Sequence, residues 1–166
     1  MHAEYWIEKL NLQIHPEGGY FRETYRAEGL IQNASLPASF IGERNYATAI
    51  YFLLTSANFS AFHKVASDEM WHFYTGSALE IHWIDTQAEL QTIRLGSNFE
   101  KGEVFQALVP ANAWFCAQVI DNQGYTLVGC TVAPGFNFAD FELAKREDLI
   151  AQYPHLQDII VKFTRQ

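Results

Sequence analysis

The chain has 166 residues, 49% of them hydrophobic and 15% aromatic, which suits one β-rich domain over residues 1–166 with a substantial core and leaves too little for two. A formal net charge of -8 and a pI near 5.1 argue against a surface for phosphate backbones, so no nucleic-acid partner is expected. No apolar run approaches the ~20 residues of a membrane span, and the N-terminus lacks a basic stretch leading into an apolar core. Cys116 and Cys130 sit inside apolar runs as buried thiols that could face each other across neighbouring strands. A cytoplasmic protein with no membrane partner is the expectation.

Residues 3 to 10 place Tyr5, Trp6, Lys9 and Leu10 at helical spacing, and Asn11 can end that short helix. His15-Pro16-Glu17-Gly18-Gly19 follows as a turn, because proline fixes its own φ and paired glycines permit positive φ. The next strand, Tyr20–Arg26, puts Tyr20, Arg22, Thr24 and Arg26 on one face and Phe21, Glu23 and Tyr25 on the other. Glu23, flanked on its face by two aromatics, is either exposed on an edge strand or a pocket residue. From 27 to 45 no period holds, which predicts a long loop acting as a lid, partner contact or mobile segment. Tyr46–Thr55 reads as a strand covered on both faces.

Polar chemistry is densest between Ser60 and Gly76. Two short strands joined by a tight turn at Ala66-Ser67-Asp68 would carry His63 on the first and Glu69 at the head of the second. Alternation groups Glu69, Trp71 and Phe73 on one face and Met70, His72 and Tyr74 on the other. Glu69 and His72 therefore share no pocket unless a bulge intervenes. A carboxylate heading a run of large apolar residues, with a histidine across the turn, suits a metal site or a proton-transfer site.

Further strands are expected at Ala78–Asp85 and Glu89–Leu95, joined as a hairpin, and at Val104–Val109. Trp114–Ile120 and Tyr125–Ala133 read as a second hairpin through Asp121-Asn122-Gln123-Gly124. After Pro134-Gly135, Phe141, Leu143, Ala144, Leu149 and Ile150 recur at helical spacing up to Pro154, and Leu156, Ile159, Ile160 and Phe163 predict a final short helix. Many antiparallel strands with polar turns and a small helical tail point to a sandwich or closed barrel, and a jelly roll is the form chosen among these.

Several segments carry a resemblance: His15 to Tyr25, Phe62-His63, Ser67 to Phe73, Gly76, Trp114-Phe115 and Val132 to Phe141. Together they are similar to the cupins, specifically the DUF985 (cupin type 5) group. The resemblance implies a double-stranded β-helix barrel with a ligand-sized interior, and a homodimer. The general cupin pattern resembles His-x-His, a Glu four residues on and a Gly seven beyond it; His63, Glu69 and Gly76 fit, but Val65 stands at the second His. In the second motif, which resembles Pro-x-Gly-x-x-His, Pro110 fits while Asn112 and Phe115 replace the Gly and the His. One histidine and one carboxylate make a poor divalent-metal site. No cofactor is expected, and His63 and Glu69 would be the ligands if a metal bound. Gly19–Tyr25 is also similar to a segment of the sugar-nucleotide 3,5-epimerases, which share the barrel, need no metal and use a barrel histidine as base; Gly18 stands where they carry a substrate-gripping Arg.

The first functional reading is a metal-independent isomerase or epimerase moving a proton beside a carbonyl of a carbohydrate-like or keto substrate. His63 would be the base, with Glu69 or Glu23 as orienting or acid partner. The second is a non-catalytic small-ligand binding protein, and the third a divergent metal-dependent enzyme, which the missing ligands disfavour. Ligand contacts are expected from Glu17, Tyr20, Phe21 and Arg22, and from the barrel aromatics Trp71, Phe73 and Phe115.

Overall fold

Long strands that alternate apolar and polar residues must stack two sheets face to face to bury one side of each, and a computed structural model, which describes residues 2–165, has that arrangement. Helix α1 (Ala3–Lys9) leads into β1 (Gln13–Ile14), β2 (Tyr20–Arg26), β3 (Leu30–Ile31), β4 (Arg44–Asn45), β5 (Thr48–Thr55), β6 (Phe59–Lys64) and β7 (Asp68–Gly76). Then come β8 (Leu79–Ile84), β9 (Leu90–Leu95), β10 (Gln106–Val109), β11 (Phe115–Val119), β12 (Tyr125–Ala133), β13 (Glu142–Leu143), α2 (Arg146–Gln152) and α3 (Gln157–Lys162). One sheet runs β1-β2-β5-β12-β7-β10 and the other β13-β6-β11-β8-β9; β3 and β4 form a separate two-stranded ribbon. This is the jelly-roll barrel expected.

Phe52, Trp71, Ile81, Leu95, Phe115 and Val128 fill the space between the sheets. On the outside of the five-stranded sheet, α2 and α3 bury Leu149, Ile160 and Phe163 against Phe62 and Cys116. On the outside of the other sheet, α1 covers Leu53 and Leu127. A fully buried Leu, Ile or Phe side chain contributes roughly 1.5–3 kcal/mol, so each short helix is held by the apolar face it covers more than by its own hydrogen bonds.

Several sequence expectations need correction. The turn at 66–68 and the turn at 121–124 do not make hairpins: β6 and β11 belong to one sheet, β7 and β12 to the other, and each turn carries the chain across the barrel. Both connections have hairpin length, but the sandwich core between the flanking strands takes precedence over local pairing. Consequently Cys116 packs under the C-terminal helices and Cys130 between the sheets, and the thiols do not meet. The hairpin at Asp85 does form, as β8 and β9. Residues 134–143 are not helical; Phe138–Asp140 makes a single 3-10 turn and β13 pairs with β6, so the helix begins only at Arg146. The 27–45 loop holds the β3–β4 ribbon and buries Arg44 against Asp140.

Candidate functional site

The turn after β1 builds the floor of the site. His15 N–H donates to the Gly19 carbonyl and Gly18 N–H to the His15 carbonyl, and Gly18 and Gly19 have φ of 117° and 76°. A Cβ on Gly18 would lie 2.1 Å from the Phe59 carbonyl oxygen, so only glycine lets this turn lie against β6. The turn thereby pushes Glu17 between the sheets, where it is 5% exposed. His63 comes from β6 and Glu69 from β7; they are 2% and 8% exposed.

All three open onto a cavity of about 250 Å³, walled by Phe21, Phe52, Trp71, Phe136, Phe138 and Phe141 among others. Glu23 and Arg26 form its rim, through a feature that alternation did not give. Strand β2 carries a bulge against β5, with Glu23 opposite Ile50 but Tyr25 opposite Ala49. One extra residue resets the facing, so Tyr25 turns outward at 57% exposure and Arg26 swings to the side of Glu23. There its Nε and Nη2 donate to the two Glu23 oxygens at 3.0 and 2.7 Å, and its Nη1 donates to Asn45 Oδ1 and the Phe136 carbonyl.

Glu17 is the hub. Its Oε1 accepts from Ser60 Oγ at 2.7 Å and its Oε2 from His63 Nε2 at 3.0 Å. His63 Nδ1 lies 2.7 Å from the Ala61 carbonyl oxygen, so both ring nitrogens face acceptors and the ring is an imidazolium paired with Glu17. Burial pulls His63 down, but the Glu17 carboxylate, Glu69 and the Ala61 carbonyl together hold its pKa above the ordinary value. Burial likewise pushes Glu17 up, but the charge and hydrogen bond of His63, with His15 and Ser60, together outweigh it and hold Glu17 below the ordinary value. His15, set edge-on to Phe21, accepts the Glu17 N–H at Nδ1; burial drives its pKa down against the pull of Glu17, and it is neutral. Glu69 goes the other way. Burial and the neighbouring Glu17 charge raise it to about 7, only partly opposed by His63 and by a hydrogen bond with Cys130.

Of the residues expected from sequence, Glu17, Phe21, Glu23, His63, Glu69 and Trp71 line this one cavity. Tyr20 and Arg22 do not: they lie on the opposite face of β2, Tyr20 packed under α1 and Arg22 over the Tyr51 ring. Phe73 and Phe115 are packed in the intersheet core behind the wall, Phe115 with its ring 4.0 Å from that of His63. The partner of His63 is Glu17, where Glu69 or Glu23 was expected. His15, Arg26, Phe136, Phe138 and Phe141 were missed as site residues. His15-Pro-Glu-Gly-Gly and the Phe-rich stretch after Pro134 were visible as motifs, but only the folded chain brings both to one mouth.

A metal fits poorly here. Val65 and Phe115, at two of the usual cupin ligand positions, offer no donor atoms and are buried, and both nitrogens of His63 already have partners. Among the described residues no group of three or more His, Cys, Asp and Glu side chains is placed to hold an ion. His72 and His82 do not substitute. His72, outside the barrel on β7, contacts Gln106 and Thr131, and His82 contacts Thr92 and packs near Phe163.

A family model described as "Cupin superfamily (DUF985)" matches residues 4–144. The crystal structure of protein SO0799 from Shewanella oneidensis is 39% identical, with TM-score 0.88 over 99% of this chain and 98% of that one. A hypothetical protein from Leishmania major is 34% identical, with TM-score 0.91 over the whole of both chains. The uncharacterized protein YML079W of Saccharomyces cerevisiae is 28% identical over 151 residues, 86% of this chain and 75% of its own.

Proposed function

Since this chain belongs to the cupin superfamily, in its DUF985 group, we propose that its barrel is a small-molecule site in which Glu69 moves a proton beside a ligand carbonyl, a metal-independent isomerase or epimerase chemistry. The observation that carries this reading is the opposite fate of two carboxylates in one cavity. Glu17 is locked in its charged form by His63 and Ser60, whereas Glu69 sits near half-protonation at neutral pH. A group with a pKa close to the working pH both takes and returns protons, and environments that push two carboxyls apart mark the acid–base assignment. His63, with both nitrogens engaged, has no lone pair free to act as the base; it holds Glu17 in place and supplies fixed positive charge.

In the step proposed, the Glu69 carboxylate takes a proton from the carbon next to a carbonyl, the C–H electron pair passes into an enolate, and Glu69 returns a proton to that same carbon. Atoms and charge balance with no further reactant. The test is deuterium incorporation from heavy water, followed by NMR over a panel of ketones, keto acids and sugar phosphates. Glu69→Gln should lower exchange at least ~100-fold with the fold intact. Exchange that persists in Glu69→Gln, or is absent across the panel, ends the proposal. The second reading, a binding protein without turnover, is favoured by the engagement of both His63 nitrogens and by the pairing of Arg26 with Glu23; saturable binding with no exchange would establish it.

A further inference from the structure

We infer that the cavity selects a neutral, mostly apolar carbonyl compound of about one ring and turns away anions, carboxylates and phosphate esters alike. The carbonyl rests on the proton-transfer reading above; the exclusion of anions rests on the distribution of charge and stands without it.

Besides the neutral His15 and the Cys130 thiol, which burial keeps protonated, five charged or chargeable side chains reach the cavity: the acids Glu17, Glu23 and Glu69, and the bases Arg26 and His63. Each cation is already answered. The two N–H groups of His63 go to Glu17 and Ala61, and Arg26 gives four of its five N–H hydrogens to Glu23, Asn45 and the Phe136 carbonyl. Recognition of a carboxylate or phosphate takes free, charge-assisted donors, typically a guanidinium fork. Among the described residues each cation at this cavity is already paired with a carboxylate. The two ion pairs cancel, so Glu69 decides the balance, and its ionised form makes the interior negative. An anion brought here would lose its hydration, meet Glu17 and Glu69, and find no counter-charge.

The walls make the complementary statement. Phe21, Phe52, Trp71, Phe136, Phe138 and Phe141 give ring faces and edges on several sides, which suit a flat apolar body. At about 250 Å³ the space falls below the ~300–1,000 Å³ that accommodates drug-sized ligands, too small for a nucleotide sugar and enough for a monocyclic compound. Outside the two ion pairs, polar contact comes from Glu69, His15 and Thr48 inside and from the exposed Asn137 at the mouth.

The experiment uses a near-isosteric pair, phenylacetone and phenylacetate, with cyclohexanone and glucose 6-phosphate added, titrated calorimetrically into the wild-type protein at pH 8. Phenylacetone or cyclohexanone should saturate the protein in the millimolar range, with phenylacetate and glucose 6-phosphate at least tenfold weaker. In Glu69→Gln the gap between phenylacetone and phenylacetate should narrow several-fold, because the carboxylate whose charge is left unbalanced is gone. An anionic compound that binds as tightly as the ketones, or failure of both ketones to saturate by about 10 mM, overturns the inference. Solvent deuterium in the α-positions of phenylacetone is read in the same samples. Binding without exchange defeats only the proton-transfer proposal, while exchange confined to anionic carbonyl compounds defeats only the choice of ligand.

Discussion

Glu17, His63 and Glu69 set opposing pH dependences on stability. His63 has a folded pKa above its unfolded value, so its contribution is complete below the ordinary histidine range and is lost as pH rises through the folded value. Glu17 is depressed, so its contribution is present above the ordinary carboxyl range and is lost as pH falls through the folded value. Glu69 has the unfavourable sign. Between about 4.5 and about 7 the folded chain keeps a proton that the unfolded chain releases, and stability falls as pH rises through that window. Glu69→Gln should therefore be nearly neutral in urea denaturation at pH 4 and stabilising at pH 8, by up to about 3 kcal/mol at 1.36 kcal/mol per pKa unit. Equal effects at both pH values would show that Glu69 titrates normally in the fold. Glu17→Gln leaves a buried imidazolium without its partner; the His63 pKa, read from its ring protons by NMR, should drop, with stability lower by roughly 3–5 kcal/mol at pH 6.

The elements that matter most are β7, β2 and the segment after β12. Strand β7 keeps strict alternation from Glu69 to Phe73; its register shift against β12 comes only between Phe73 and Thr75. His72 therefore points away from the cavity, and His72→Gln should leave ligand affinity unchanged by calorimetry. Residues 134–141 form a strap across the mouth, tied down by Phe136 N–H donating to Thr48 Oγ1, by Ser67 Oγ donating to the Pro134 carbonyl and by Asp140 paired with Arg44. The Arg44–Asp140 pair is bidentate and nearly inaccessible, with side chains 4% and 5% exposed. Arg44→Met should cost roughly 3–5 kcal/mol by stranding a buried carboxylate, and adding Asp140→Leu should restore most of it. A single variant as stable as wild type in urea denaturation would mean the strap holds without the pair.

At the scale of the whole molecule, α1 covers only part of the outer face of the six-stranded sheet. Tyr74 and Leu108 stay 51% and 45% exposed on β7 and β10, and β1 leaves Ile14 77% exposed at the sheet edge. Uncovered sheet edges and apolar faces favour association, and a homodimer is the expected state; light scattering at micromolar concentration should give twice 19.0 kDa, and a monomer mass would refute it. No helix among the described residues is long and apolar enough to cross a membrane. Period-two alternation, turn residues and the spacing of His63, Glu69 and Gly76 determined by themselves the many-stranded β class, most strand positions and the inward face of β7, because each depends on geometry within a few residues. Only the tertiary structure decided that the turns at 66–68 and 121–124 cross between sheets, that a bulge turns Arg26 to Glu23, and that Glu17 takes His63. Those outcomes depend on which strands pair and on what a distant turn buries, and local sequence carries no record of either.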